Sequence, residues 1–180
     1  MRGLVFLELV KMAEANFGED RVDEVISAAP LPSGGAYTSV GYYDCAELLT
    51  LIKAFSEASD IAPRELERRF GHWVMDALRK GYPDLFLKYG TASEMLEAIE
   101  EDIHVEVRKL YPDAELPSIK TVRQEDGRIL VRYRSDRPLA AFCLGLIEAC
   151  FSEFSEKATV KMDDKTAASH GEAVFTISRE

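Results

Sequence analysis

Residues 128–137 read RILVRYRSDR, and their side chains alternate as in a β-strand. Because side chains two positions apart on a strand share a face, we expect Tyr133, Ser135 and Arg137 to point the same way. A guanidinium beside two hydroxyl groups suits the binding of one or two carboxylates or phosphates. Taken alone, the pattern fits equally well a core tyrosine, a serine that fills the strand and a solvated arginine.

The surrounding sequence predicts that this strand belongs to an antiparallel sheet. Residues 119–123 and 128–135 flank Glu125-Asp126-Gly127, which is a hairpin signal. Downstream, the hydrophobic period predicts a helix and then a second pair of strands, at residues 139–154, 160–162 and 173–177. The predicted order after residue 117 is therefore β-β-α-β-β.

The residues before this sheet show helical periodicity. Four helices are predicted over residues 3–17, 21–29, 44–56 and 63–81. A fifth begins after Thr91 and carries an apolar stripe made of Leu96, Ile99, Ile103, Val107 and Leu110. We therefore predict an α+β fold, with one domain over residues 1–180. It is divided into a helical N-terminal lobe (about 1–60) and a C-terminal lobe with a four-stranded antiparallel sheet (about 61–180).

Composition excludes several classes of protein. The formal net charge of −10 argues against non-specific binding to nucleic acid or to an anionic membrane, and favours partners with a basic surface. No apolar run approaches the roughly 20 residues of a membrane span, and charged residues interrupt the apolar start of the chain, so no signal peptide is expected. Three cysteines fit a reducing compartment, and we expect a cytoplasmic protein.

One histidine stands out beside the strand. His104 lies 29 positions before Tyr133, within the fifth predicted helix, at roughly 80° from the centre of its apolar stripe. A lone histidine there fits a half-buried, hydrogen-bonded structural residue. Combined with Tyr133, Ser135 and Arg137, it supplies what haem b needs, namely an axial ligand and donors for the propionates. No Cys-x-x-Cys-His motif is present, so such a haem would be non-covalent. No catalytic motif supports enzymatic activity.

Several motifs occur together in order, and they resemble one family. They are Met1-Arg-Gly, IHVEVRKLYP at 103–112, Tyr-x-Ser-x-Arg at 133–137 and Leu-Gly-Leu at 144–146. Together they resemble the haem-nitric oxide/oxygen binding (H-NOX, or HNOB) family over essentially the whole chain. The resemblance implies a haem between the two lobes, with His104 as its proximal ligand. It also implies that Tyr133, Ser135 and Arg137 bind the propionates and that Pro117 packs on the porphyrin.

The same resemblance implies which residues form the distal wall: Val5, Leu9, Val74, Leu78, Phe142 and Leu146. Family members that hold O2 carry a distal tyrosine, and here the matching position is Phe142. Because no residue of this wall can donate a hydrogen bond, we expect NO and CO to bind but not O2. The implied partner, acting in trans, is a histidine kinase or a diguanylate cyclase/phosphodiesterase. Relatives with C-terminal cysteines bind zinc or sense redox state there, whereas this chain has no cysteine after Cys150.

Two other interpretations remain open from the sequence. One is a haem-free acidic interaction module whose Tyr133, Ser135 and Arg137 bind a peptide carboxylate. The other is a thiol redox sensor that uses Cys45 or Cys143.

Overall fold

The computed structural model describes residues 1–167 and 170–179. Its first helices are α1 (Gly3–Phe17), α2 (Glu19–Ala28), α3 (Cys45–Ser59) and α4 (Pro63–Gly81). They are followed by α5 (Pro83–Leu87), α6 (Ala92–Glu97), a π-helical turn (Ile99–Ile103) and α7 (His104–Leu110). The remaining elements are β1 (Ser118–Arg123), β2 (Ile129–Ser135), α8 (Ala140–Glu153), β3 (Ala158–Asp164) and β4 (Gly171–Arg179).

The four strands form one antiparallel sheet in the order β1-β2-β4-β3. The predicted β-β-α-β-β order is therefore confirmed, and so is the hairpin between β1 and β2. Within the sheet, Tyr133 lies opposite Ile119 on one side and Ala173 on the other. This register places the residues of β2 between two neighbouring strands, where their backbone positions are fixed.

Two hydrophobic clusters confirm a helical lobe and a sheet lobe. The first consists mainly of side chains from α1 to α4, and includes Phe6, Leu9 and Phe55. The second is built around the sheet and α8, and includes Val131, Ile147 and Phe175. No helix within residues 1–167 and 170–179 is both long and apolar enough to cross a membrane.

Helices α4 and α8 join the two clusters at a close crossing. A Cβ on Gly71 would lie 2.8 Å from the main-chain nitrogen of Leu146, and one on Gly145 would overlap the main-chain oxygen of Arg68. Only hydrogen atoms fit at these two positions, so glycine allows the helix backbones to touch. The crossing fixes α8 relative to α4, and both helices carry residues of the predicted distal wall.

The prediction of one continuous α-helix from residue 91 to Leu110 is wrong. The amide of Ile103 bonds to Ala98 O at 3.2 Å, five residues back, as in a π-helix. This wider turn rotates the following residues about the helix axis. After this turn His104, expected at the edge of the buried face, is only 8% exposed, whereas Leu110 of the expected apolar stripe is 62% exposed.

Candidate functional site

The side chains of β2 alternate between interior and surface as predicted. Ile129, Val131 and Tyr133 are buried, while Arg132 and Arg134 are exposed on the other face. The strand ends at Ser135, which is half-buried, and the chain then bends. Arg137 therefore lies two residues beyond the strand rather than within it.

Tyr133, Ser135 and Arg137 contact one another at this end of β2. The Tyr133 hydroxyl donates to Arg137 O at 3.4 Å, and the main-chain N–H of Arg137 donates to Ser135 Oγ at 3.1 Å. Burial raises the pKa of Tyr133, so its phenol stays protonated and remains a donor. Gly171, opposite Ser135 on β4, leaves the space that the tyrosine ring needs, because a Cβ there would lie 2.7 Å from Tyr133 Cε1. The sequence did not single out this glycine.

The guanidinium of Arg137 binds a carboxylate in the structure. Its Nη1 donates to the main-chain oxygen of Glu115 at 2.9 Å, and its Nη2 donates to the carboxylate of the same residue. Glu115 is largely exposed, whereas the Arg137 side chain is mostly covered. A mostly covered guanidinium with an exposed carboxylate partner is able to exchange that partner for another carboxylate.

His104 begins α7 and presents a buried, neutral imidazole. Burial lowers its pKa, although the nearby charge of Glu100 opposes this effect. The ring Nδ1 lies 3.4 Å from Glu100 Oε2 and forms no hydrogen bond with the described part of the chain. A neutral imidazole is the form that ligates a metal ion.

Strand β1 links His104 to the end of β2. The carboxylate of Glu100 accepts a hydrogen bond from Ile119 N at 2.5 Å, and Ile119 pairs directly with Tyr133. Pro117 is partly buried just before β1, in the same loop as Glu115. The imidazole and the guanidinium are therefore supported by neighbouring segments of one lobe.

The structure brings together four of the six predicted wall residues. Val5, Leu9, Val74 and Phe142 all belong to or pack against the helical cluster, and the Phe142 ring lies 5.1 Å from that of Phe70. The other two lie apart. Leu146 packs against the sheet cluster, and Leu78 is 36% exposed.

Glu67 is a buried carboxylate that the sequence did not reveal. It is 8% exposed and accepts a hydrogen bond from Phe142 N at 2.9 Å. Burial raises its pKa. Because Leu139 offers no side-chain cap to α8, Glu67 of α4 caps that helix from outside and fixes the main chain of Phe142.

Two of the three cysteines are poorly placed for redox chemistry. Burial raises the pKa of both Cys143 and Cys150 to about 12, so both remain protonated at neutral pH. Cys45 is half-buried, and burial raises its pKa as well. The geometry thus gives little support to a thiol sensor.

Comparison with known proteins identifies the family. A family model described as haem-NO-binding matches residues 2–162. The Fe(II) unliganded H-NOX protein from K. algicida is 33% identical, with a TM-score of 0.90 and coverage of 100% of this chain and 97% of that one. The Fe(II)CO H-NOX from Shewanella woodyi is 37% identical, with a TM-score of 0.82 and coverage of 100% and 95%.

A third structure supports the fold alone. The H-NOX protein from S. oneidensis in the Fe(II)NO state is 24% identical, with a TM-score of 0.88 and coverage of 100% and 99%. No curated protein matches the chain. The family match over most of the chain and the two structures above 30% identity confirm the family expected from the sequence motifs. This chain belongs to the haem-NO-binding, or H-NOX, family of haem-based gas sensors.

Proposed function

We propose that this protein is a nitric oxide sensor that holds haem b non-covalently between its two lobes. In this proposal residues 1–180 form one haem-binding domain, with a helical lobe at about 1–60 and an α+β lobe at about 61–180. His104 is the axial ligand, and Tyr133, Ser135 and Arg137 bind the propionates, while Pro117 packs on the porphyrin. The observation that carries the proposal is a buried, neutral imidazole linked through β1 to a guanidinium that binds a carboxylate.

The chemistry of the Arg137 guanidinium and of the His104 imidazole suits a haem. Arg137 engages the carboxylate of Glu115, and a propionate is a carboxylate as well. The buried His104 ring retains a ligating nitrogen and resists protonation. When bound, the haem would supply an iron that takes a diatomic gas, and His104 would hold that iron.

The proposed wall favours NO and CO over O2. Val5, Leu9, Val74, Leu78, Phe142 and Leu146 are all apolar, and none can donate a hydrogen bond. Binding of O2 to ferrous haem is favoured by a donor in the pocket, whereas NO and CO need none. A hydrogen bond to a charged acceptor contributes about 1.5–3 kcal/mol, which is enough to decide between these ligands.

Helix α7 is suited to carry the signal between the lobes. It begins at His104, and Tyr111 follows its last residue. The guanidinium of Arg2 lies 4.5 Å from the ring of Tyr111 and 5.1 Å from the ring of Tyr42 in the N-terminal lobe. Release of His104 on gas binding would shift α7, and Arg2 would transmit that movement to the N-terminal lobe.

The output of this sensor is a change of surface rather than a reaction. We propose that it acts in trans on a histidine kinase or a diguanylate cyclase/phosphodiesterase, through the acidic surface of a chain with a net charge of −10. All three cysteines are free, as in proteins of a reducing compartment, which supports a cytoplasmic location.

Arg137→Ala is expected to weaken haem binding. The variant removes a charge-assisted contact to a propionate, and its dissociation constant for haem should rise by about tenfold or more. Haem titration of the apoprotein, followed by absorbance, measures this change. Arg132→Ala is the matched control, since Arg132 is exposed on the face of β2 opposite Tyr133 and its loss should leave the affinity unchanged. Equal haem affinity of the two variants would contradict the proposed role of Arg137.

Phe142→Tyr is expected to confer O2 binding on the ferrous protein. The added hydroxyl supplies the missing donor, so O2 affinity should rise by about tenfold or more, while CO affinity changes little. Equilibrium titration with each gas measures the two affinities. Phe142→Leu removes the ring without adding a donor and should give no gain for O2. If the tyrosine variant binds O2 no better than the wild type, Phe142 does not face the gas.

A further inference from the structure

Glu100 lies between β1 and the His104 ring, and each of its carboxylate oxygens faces a different nitrogen. Oε1 accepts the hydrogen bond from Ile119 N at 2.5 Å, whereas Oε2 lies 3.4 Å from His104 Nδ1. The bond to Ile119 anchors the side chain to the sheet. Because the Glu100 side chain is anchored in this way, its Oε2 is held beside the His104 ring.

The other side of this contact is a buried nitrogen without a hydrogen bond. The His104 side chain is 10% exposed, and its Nδ1 has no hydrogen-bond partner within residues 1–167 and 170–179. A neutral histidine that ligates through Nε2 carries its proton on Nδ1, and that N–H needs an acceptor. Glu100 Oε2, 3.4 Å away, is the charged acceptor beside it.

We propose that Glu100 is a positioning residue for His104. The Glu100 carboxylate accepts the hydrogen bond from His104 Nδ1–H and strengthens the iron–histidine bond. The inference rests on the proposed ligation of haem by His104. A carboxylate acceptor fixes the tautomer and the orientation of a ligating imidazole, and it raises the basicity of the ligand. A more basic imidazole holds iron more strongly.

This role would regulate the response to gas. If bound NO weakened the iron–histidine bond, the strength of that bond would decide whether His104 stays attached. Glu100 favours the complex in which His104 is retained.

Glu100→Gln tests the proposal because glutamine cannot serve both nitrogens. The two nitrogens face different oxygens of Glu100, and glutamine has an NH2 donor in place of one of them. In this geometry the variant can therefore accept from Ile119 N–H or from His104 Nδ1–H, but not from both. Glu101→Gln is the matched control, since it removes the same charge from the neighbouring, exposed residue of the same π-helical turn. Both variants are compared with the wild type as purified, haem-loaded protein.

Three readouts should change in Glu100→Gln and stay at the wild-type value in Glu101→Gln. The iron–histidine stretching frequency of the ferrous protein, measured by resonance Raman spectroscopy, should fall. The fraction of five-coordinate NO complex, read from the absorbance spectrum, should rise. The rate of haem transfer to apomyoglobin should increase by about tenfold or more.

An iron–histidine stretching frequency in Glu100→Gln equal to that of the wild type would overturn the role of Glu100 and leave the haem proposal standing. A wild-type protein that binds no haem would overturn both. If Glu100→Gln fails to fold, the Fe(II)–CO wild type carries the test. Its His104 Nδ1–H should give a downfield, slowly exchanging NMR signal, and rapid exchange with solvent would overturn the proposal.

Discussion

Replacement of His104 by glycine is expected to abolish haem binding, and added imidazole is expected to restore it. The variant loses the proposed axial ligand, while the cavity left by a ring that is 8% exposed is large enough to admit free imidazole. The Soret absorbance per protein of the purified variant, with and without imidazole, measures the effect. We expect most of the haem to be lost in the absence of imidazole.

His72→Gly is the control for this experiment. His72 is half-exposed on α4, and its Nε2 lies 2.8 Å from Glu148 Oε2, so its loss should leave the haem content unchanged. Full haem retention by His104→Gly without imidazole would refute the assignment of His104 as the ligand.

Gly145→Ala is expected to lower the stability of the fold strongly. The new Cβ would overlap the main-chain oxygen of Arg68 and lie 3.1 Å from the Cα of Gly71, and neither atom belongs to a flexible side chain. Overpacking of this kind costs about 3 kcal/mol, which corresponds to a fall in Tm of roughly 6–12 °C for a chain of this size. Thermal unfolding followed by circular dichroism measures the change.

Gly81→Ala provides a matched glycine at the end of α4. A Cβ there meets no atom within 4 Å, so the variant should be neutral or slightly more stable, because alanine favours the helix. A Tm for Gly145→Ala within a degree or so of that of Gly81→Ala would contradict the close crossing of α4 and α8.

The sequence predicted the parts of the fold that depend on local chemistry. The alternation of residues 128–135 predicted a strand with Tyr133 and Ser135 on one face, and the structure has that strand at Ile129–Ser135, with Tyr133 buried. Likewise, Pro63 and Gly81 predicted the limits of α4, and both are observed. In each case the residues that fix the element lie within it.

Other features depend on contacts that no local pattern records. The π-helical turn at Ile99–Ile103 interrupts a sequence with regular helical spacing, and the buried His104 follows it directly. Glu67 caps α8 from a helix 75 residues earlier in the chain, so no spacing rule could have found it. Glu100 did leave a signal, because it precedes His104 by four residues, the spacing of a helical side-chain pair.

We propose that this protein holds a ferrous, histidine-ligated haem that takes NO but not O2. This proposal is tested most directly by the absorbance spectrum of the reduced protein under anaerobic conditions, recorded before and after addition of NO, and on a second sample after admission of air. We expect a Soret band that shifts with NO and does not move in air before the iron oxidises. A protein without a Soret band, or one that forms a stable complex with O2, would contradict it.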